Sequence, residues 1–203
     1  ELKLLYCSDN NLSSLKLDGC NKLTRLLVSN NSLTSLDLPS CPDLISLDCD
    51  NNQLTELDVS GCPNLTSISC KENALTKLDV STCTALESLY CSNNQISSLD
   101  LSQHTTLTSL ECNNNQLTSL NVDGCTKLKN LNCSFNKLSS LNTKKNSSLY
   151  YLYCSDNQLT ELVVNGSIQT LSCRNNKLTS LDLHVSPNLA DLSCENNQLT
   201  ELK

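Results

Sequence analysis

The chain has 203 residues, which is enough for one domain or for a single run of repeats. Its formal net charge is −7 and 17% of its residues are charged, a balance that disfavours nucleic acid or an anionic membrane as the main partner. No apolar run approaches the roughly 18 residues of a membrane span, so we expect no membrane insertion, and the first residues lack the pattern of a signal peptide.

A unit of 21 residues recurs along the whole chain, and residues 44–62 (LISLDCDNNQLTELDVSGC) show it clearly. The shared pattern is L-x-x-L-x-C-x-x-N-x-L-x-x-L-x-[LV]-x-x-C, and the eighth unit is shorter, at 19 residues. A unit this short cannot bury its own apolar residues, so the copies must stack on one another. Because the chain begins and ends inside a unit, we expect a single solenoid over residues 1–203 that is a fragment of a longer protein. The units start at Leu2, Leu23, Leu44, Leu65, Leu86, Leu107, Leu128, Leu149, Ile168 and Leu189.

The pattern predicts two short strands in each unit. Leu47 and Cys49 alternate with the polar Asp48, which is the period of a strand with one buried face. Leu57 and Val59 repeat the alternation in the second half of the unit. Stacked copies would form a parallel sheet with about 4.8 Å between strands. No stretch has the length and the amphipathic period of a helix, so we expect essentially no α-helix.

The first eleven positions of the unit match the leucine-rich-repeat signature L-x-x-L-x-L-x-x-N-x-L, with cysteine at one leucine position. The second half resembles a degenerate copy of it, so the chain resembles the short, nested bacterial leucine-rich repeats of the internalin-like class. This resemblance covers all ten units. It implies a right-handed leucine-rich-repeat solenoid with a parallel β-sheet on one wall and short extended segments on the other. It also implies a secreted or cell-surface protein that binds through the outward side chains of the first strand.

An asparagine stands at the same position in every unit. A turning backbone inside a solenoid leaves N–H and C=O groups without partners, and a buried amide can satisfy both kinds of group. We therefore interpret the column as a structural asparagine ladder with no catalytic role. The column consists of Asn10, Asn31, Asn52, Asn73, Asn94, Asn115, Asn136, Asn157, Asn176 and Asn197.

The fourteen cysteines fall in two columns and form no C-x-x-C pair. Stacked cysteines would point their Cβ atoms the same way, which is poor disulfide geometry, so we favour buried, reduced thiols that pack as small hydrophobes over disulfides. The cluster Cys83, His104 and Cys125 is an alternative zinc site, although a histidine that hydrogen-bonds a turn is the simpler interpretation. The first column contains Cys7, Cys49, Cys70, Cys91, Cys112, Cys133, Cys154, Cys173 and Cys194, and the second contains Cys20, Cys41, Cys62, Cys83 and Cys125.

A third column is acidic and points outward, with Asp37, Asp58, Asp79 and Asp100 in successive units. Like charges at sheet spacing repel, so this column needs compensation from lysines, from hydroxyl groups or from a cation. Calcium takes six to eight oxygen ligands, and one flat column offers too few. Catalysis would need a nucleophile, a base and a stabilising group in one place, and no such constellation occurs. We therefore expect no enzymatic activity and no cofactor.

Four of the six aromatic residues lie within 19 positions of one another, between 135 and 153. The repeat turns Leu149 and Leu152 inward, so the tyrosines between them should stay outside. Tyrosine and arginine are enriched in binding hot spots. The repeat is also broken here, since Thr143 and Asn146 replace apolar or cysteine positions and two residues are lost around Asn165. The break could equally be tolerated drift. The predicted partner-binding residues are Asn132, Phe135, Tyr150, Tyr151, Tyr153 and Arg174.

The leading functional hypothesis is a non-catalytic recognition or adhesion module that binds a protein. A structural spacer or stalk in a larger surface protein is the first alternative, and it predicts no preferred patch. A glycan-binding module is the second, because sugar rings stack on aromatic faces. A hydrolase attached outside these 203 residues is a third.

Overall fold

The computed structural model describes residues 1–38 and 41–203. Their main feature is one sheet of ten parallel strands, one from each unit, stacked in chain order to give nine turns of a solenoid. The predicted solenoid with one parallel wall is confirmed. The ten strands are β1 (Leu4–Tyr6), β2 (Arg25–Leu27), β3 (Ser46–Asp48), β4 (Ser67–Ser69), β5 (Ser88–Tyr90), β7 (Ser109–Glu111), β9 (Asn130–Asn132), β11 (Tyr151–Tyr153), β13 (Thr170–Ser172) and β15 (Asp191–Ser193).

Each of these strands has three residues, and the central one points into the core. Leu47 of β3 pairs in register with Ile68 of β4, and both side chains are fully or almost fully buried. Burying a leucine or isoleucine side chain stabilises the fold by about 1.5–3 kcal/mol, and the stack repeats that contribution in every interior coil. The two residues that flank the central one point outward. They form the outer face of the sheet, which is available to a partner.

The second wall is less regular than the first. Its strands pair only two by two, and Asp58 and Asp79 form an isolated parallel bridge before the first of these pairs. The predicted extended segments are therefore present without forming a second continuous sheet. Within residues 1–38 and 41–203 there is no helix, and so none that could cross a membrane. The second-wall strands are β6 (Ser98–Asp100), β8 (Ser119–Asn121), β10 (Ser140–Asn142), β12 (Glu161–Val163), β14 (Ser180–Leu181) and β16 (Glu201–Leu202).

A tight turn follows each first strand, and one residue of that turn has a left-handed backbone with φ between 49° and 57°. In the first nine units the N–H of this residue donates to a carbonyl of the next coil, as Asn51 does to Lys71 at 2.8 Å. Asparagine and aspartate tolerate this conformation better than other non-glycine residues, and they occupy eight of the ten positions. The ten residues are Asp9, Asn30, Asn51, Glu72, Asn93, Asn114, Phe135, Asp156, Asn175 and Asn196.

The asparagine that follows each left-handed residue ties neighbouring coils together. Asn94 shows the arrangement: its Nδ2 donates to the carbonyl oxygens of Cys70 and Cys91 at 2.9 and 3.2 Å, and its Oδ1 accepts the N–H of Leu75 at 3.0 Å. The interior members of the column are buried or nearly so, whereas Asn10 in the first coil is exposed. Each interior amide thus satisfies backbone groups of two coils, which water cannot reach.

All fourteen cysteines are free thiols. Those of the first column directly follow the first strands, and burial raises the pKa of Cys91 and Cys133 to about 12. In the second column, Cys83 and Cys125 each face a carbonyl 24 residues earlier, and Cys125 Sγ lies 3.2 Å from Leu101 O. In the part of the chain that the structure describes, no three His, Cys, Asp or Glu side chains are grouped as a metal would require. The cysteines therefore act in this structure as packing groups and weak hydrogen-bond donors.

Candidate functional site

The outward face of β11 carries the aromatic side chains that the sequence places there. Tyr151 and Tyr153 flank the fully buried Leu152, and each tyrosine is 40% exposed. Their backbone positions are fixed by parallel pairing with β9 on one side and β13 on the other. The alternation of the strand therefore holds two phenol rings on the same face, about two strand residues apart.

The side chains in register with the two tyrosines are all uncharged and polar. Tyr151 pairs with Asn130 and Thr170, and Tyr153 pairs with Asn132 and Ser172. Amides and hydroxyl groups can both donate and accept hydrogen bonds. The three adjacent strands thus present two aromatic rings between rows of neutral hydrogen-bonding groups, a surface that we call the tyrosine shelf (Asn130, Asn132, Tyr151, Tyr153, Thr170 and Ser172).

The other predicted partner-binding residues lie around this shelf. Phe135 is in the turn three residues after Asn132, and its side chain is 54% exposed. Arg174 is exposed two residues after Ser172, and Tyr150, just before β11, is half-buried. The six predicted residues thus belong to three consecutive coils. Whether a partner contacts them stays a prediction.

A second cluster on the same face was missed from the sequence. Lys71 Nζ lies 3.4 Å from Asp50 Oδ2 and 5.5 Å from the centre of the Tyr90 ring, which is a cation–π contact. Asp50 also accepts hydrogen bonds from Ser69 Oγ at 2.6 Å and from the Lys71 N–H at 2.7 Å. Burial raises the pKa of the nearby Asp48 carboxyl. The cation–π contact with Lys71 already engages the Tyr90 ring, so Tyr90 is less available to a partner than Tyr153. The only signal in the sequence was the alignment of these residues in adjacent columns.

The break in the repeat lies in and after the second-wall strands, and its polar residues are hydrogen-bonded within the fold, although Asn146 Oδ1 is buried without a partner. Thr143 Oγ1 donates to Val163 O at 3.2 Å, and Asn146 Nδ2 donates to Val122 O and Cys125 O at 2.7 and 3.0 Å. Asn165 Nδ2 in turn donates to the carbonyl oxygen of Asn146. The pairing of β11 with β13 keeps its register across the 19-residue unit. The break thus has a structural explanation and adds no independent support for a site at the tyrosines.

The outward aspartate column has its own internal compensation. Oδ1 of Asp58, Asp79 and Asp100 each accepts the backbone N–H two residues further on, at 2.9–3.0 Å. Hydrogen bonds from Ser81 and Ser102 hold the pKa of Asp79 and Asp100 below the usual range. Asn121 and Asn142 make the same backbone bond in the next two coils. Asp58, Asp79 and Asp100 are therefore explained as turn acceptors, as are the two asparagines that follow them in the column.

Comparison with known proteins agrees with this architecture. The family described as leucine rich repeats (2 copies) matches residues 21–61 and 63–103. No curated protein matches the chain significantly. Among solved structures, the functional domain of InlJ from Listeria monocytogenes, described as including a cysteine ladder, is 30% identical with a TM-score of 0.77, over 100% of this chain and 60% of that one.

Two further structures from other bacteria are similar. A leucine-rich-repeat protein from Leptospira interrogans is 25% identical with a TM-score of 0.86, over 98% of this chain and 56% of that one. YopM from Yersinia enterocolitica is 30% identical with a TM-score of 0.77, over 99% of this chain and 48% of that one. The chain thus spans about half to three-fifths of the length of these proteins. The ten repeats, the parallel solenoid and these similarities together show a leucine-rich-repeat solenoid that is similar to those of the internalins.

Proposed function

We propose that the chain is a non-catalytic recognition or adhesion module that binds a protein partner through the outward face of its ten-stranded sheet. The observation that carries the proposal is the exposure of Tyr151 and Tyr153, 40% each, on a face where most other coils have serine or a small polar residue. The solenoid itself gives no reason for aromatic rings there. The partner-contacting residues are Asn132, Phe135, Tyr150, Tyr151, Tyr153 and Arg174.

Physical chemistry favours these rings as the centre of an interface. Tyrosine provides a large apolar area and a hydroxyl group on a side chain with only two rotatable torsions, so ordering it costs little entropy. Lys129 and Arg174 on this side of the molecule are balanced by Glu111 and Asp156, so strong electrostatic steering is not expected. Leucine-rich-repeat solenoids generally serve as protein-interaction scaffolds with extended surfaces. We place the module in a bacterial secreted or surface-anchored protein, on the similarity to InlJ and to the internalin InlF, both from Listeria monocytogenes.

A glycan is the second candidate ligand, and the composition of the tyrosine shelf favours it. All six side chains of the shelf are uncharged, and four of them are amides or hydroxyl groups beside the two rings. A neutral sugar offers hydroxyl groups and apolar C–H faces that suit such a surface.

The test compares the wild type with a double variant, Tyr151→Ser with Tyr153→Ser. Binding of each is measured on an array of purified extracellular protein domains and on an array of glycans. The double variant should keep the wild-type unfolding midpoint, because the two tyrosines are outside the core. The matched control is Tyr6→Ser, since Tyr6 is an exposed tyrosine at the position of β1 that corresponds to Tyr153.

We expect the wild type and Tyr6→Ser to retain the same protein domain, and the double variant to bind it at least tenfold more weakly. Retention of a glycan alone would move the assignment to glycan binding. If no arrayed molecule is retained, or if the double variant binds like the wild type, the spacer hypothesis leads.

A further inference from the structure

Near both ends of the solenoid, exposed polar side chains at the left-handed turn position form short hydrogen-bonded ladders. Asn30 Nδ2 donates to Asp9 Oδ1 at 2.9 Å, and Asn51 Nδ2 donates to Asn30 Oδ1 at 2.8 Å. The same bonds recur near the other end of the solenoid, from Asn175 to Asp156 and from Asn196 to Asn175, both at 2.8 Å. Asparagine thus suits this position for two reasons: its backbone tolerates a positive φ, and its side chain can link adjacent coils.

Phe135 is the exception in this column. Its φ is 56°, although a bulky aromatic residue is unfavourable in the left-handed region. Its ring cannot donate or accept such a bond, and it lies in the central part of the column, between the bonds that end at Asn51 and those that begin at Asp156. Its ring is also 54% exposed, so burial recovers only part of what is lost.

The solenoid holds Phe135 in this conformation through its backbone. Its N–H donates to Ser155 O at 2.9 Å, and its carbonyl oxygen accepts the N–H of Asn115 at 3.2 Å. Both bonds repeat those of the other coils, so the position cannot relax without breaking the stack. A strained, exposed aromatic residue that the surrounding structure holds in place is the kind of outlier that marks a functional position.

We infer that Phe135 is an affinity-determining anchor of the proposed partner site, and that it inserts into an apolar pocket on a protein partner. This inference rests on the proposed function. The phenyl ring has no hydrogen-bonding group, so an apolar protein pocket, which can surround the whole ring, suits it better than a sugar, which would cover only one face of it. The turn also presents the ring at little entropic cost on binding, because the backbone is already fixed.

The first arm of the test measures stability and needs no partner. Phe135→Asn restores the residue type that six other coils have at this position. We expect it to raise the folded-to-unfolded ratio about fivefold, because asparagine relieves the backbone strain. Asn114→Phe places the same ring one coil earlier and should lower the ratio by a similar factor. The double variant Asn114→Phe with Phe135→Asn should match the wild type.

The second arm measures binding to the protein domain that the wild type retains on the array. Phe135→Asn and the double variant should both bind the domain at least tenfold more weakly than the wild type does. Lost stability would not explain this, because we expect Phe135→Asn to be more stable than the wild type and the double variant to be equally stable. Asn114→Phe should bind like the wild type, because its own Phe135 is intact.

The outcomes separate this inference from the proposed function. If Phe135→Asn binds like the wild type while Tyr151→Ser with Tyr153→Ser does not, the proposed site stands and Phe135 is not its anchor. If Phe135→Asn unfolds at lower denaturant than the wild type, the ring packs within the fold and the inference is wrong whatever the binding result. If no protein domain is retained at all, the proposed function and the anchor are both overturned.

Discussion

The side-chain amide of Asn115 joins its own coil to that of Cys91, whose carbonyl oxygen accepts a hydrogen bond from Asn115 Nδ2 at 2.9 Å. The same amide donates to Cys112 O at 3.1 Å, and its Oδ1 accepts the N–H of Ile96 at 2.9 Å. Asn115 is only 4% exposed, so water cannot replace these bonds. One side chain thus satisfies three backbone groups that belong to two successive coils.

Asn115→Ala should therefore destabilise the chain by about 1–3 kcal/mol, the cost of leaving buried backbone groups unpaired. The measurement is the denaturant midpoint at constant m-value. Gln116→Ala is the matched control, because it truncates an exposed amide in the same coil and should change the free energy of unfolding by less than about 0.5 kcal/mol. Equal midpoints for the two variants would contradict a stabilising role for the buried amide.

Alkylation should distinguish the cysteines by burial. The thiolate is the reactive form, and burial raises the pKa of Cys62 to about 11 and of Cys125 to about 12. In the native protein we expect only the half-buried Cys7, Cys20 and Cys194 to react quickly. The eleven buried thiols should react after unfolding. Mass spectrometry of native and unfolded samples measures both sets, and intact disulfides or fast native labelling of Cys112 would contradict this expectation.

Much of the fold could be predicted because each local signal recurs ten times. Alternation of apolar and polar residues places Leu152 inside, and it also explains why Tyr151 and Tyr153 are exposed. The conformation of Phe135 could not be predicted in this way, because a column position does not reveal a backbone torsion. The contacts of Lys71 depend on side-chain torsions in three coils. The close approach of Gly124 to Ser102, where an added Cβ would lie 1.7 Å from the carbonyl oxygen, depends on how two coils stack.

In the acidic column, the substitution Asp79→Asn should change how the free energy of unfolding depends on pH. The Ser81 backbone N–H and side chain hold the pKa of the Asp79 carboxyl below its usual value in the folded state. A lowered folded-state pKa gives stability above the unfolded pKa of about 3.9, and that stability is lost as pH falls through the folded pKa. Asparagine keeps the turn hydrogen bond, as Asn121 does with the Asp123 N–H at 3.2 Å, but it does not titrate.

Asp79→Asn should thus match or slightly exceed the wild type near pH 7, because it also removes repulsion from Asp58 in the neighbouring coil. Below about pH 4 it should lose less stability than the wild type does. Urea midpoints between about pH 2 and pH 7 measure this, with Asp18→Asn as a control at an exposed aspartate outside the column. Parallel curves for Asp79→Asn and the wild type would show that the turn bond does not favour the ionised carboxyl.

The last prediction concerns His104, which stands in the second cysteine column. Its Nε2 lies 3.1 Å from Val80 O, the carbonyl 24 residues earlier, which is the relation that Cys125 Sγ has to Leu101 O. The ring is 1% exposed, and its Nδ1 has no hydrogen-bond partner. A buried polar atom without a partner costs about 1–3 kcal/mol of folding free energy.

His104→Cys removes that atom and keeps a donor toward Val80, so we expect a denaturant midpoint equal to or above that of the wild type. His104→Ala removes the donor as well and should unfold at lower denaturant than either. If His104→Cys is as unstable as His104→Ala, the volume of the imidazole ring, and not its hydrogen bond, determines stability at this position.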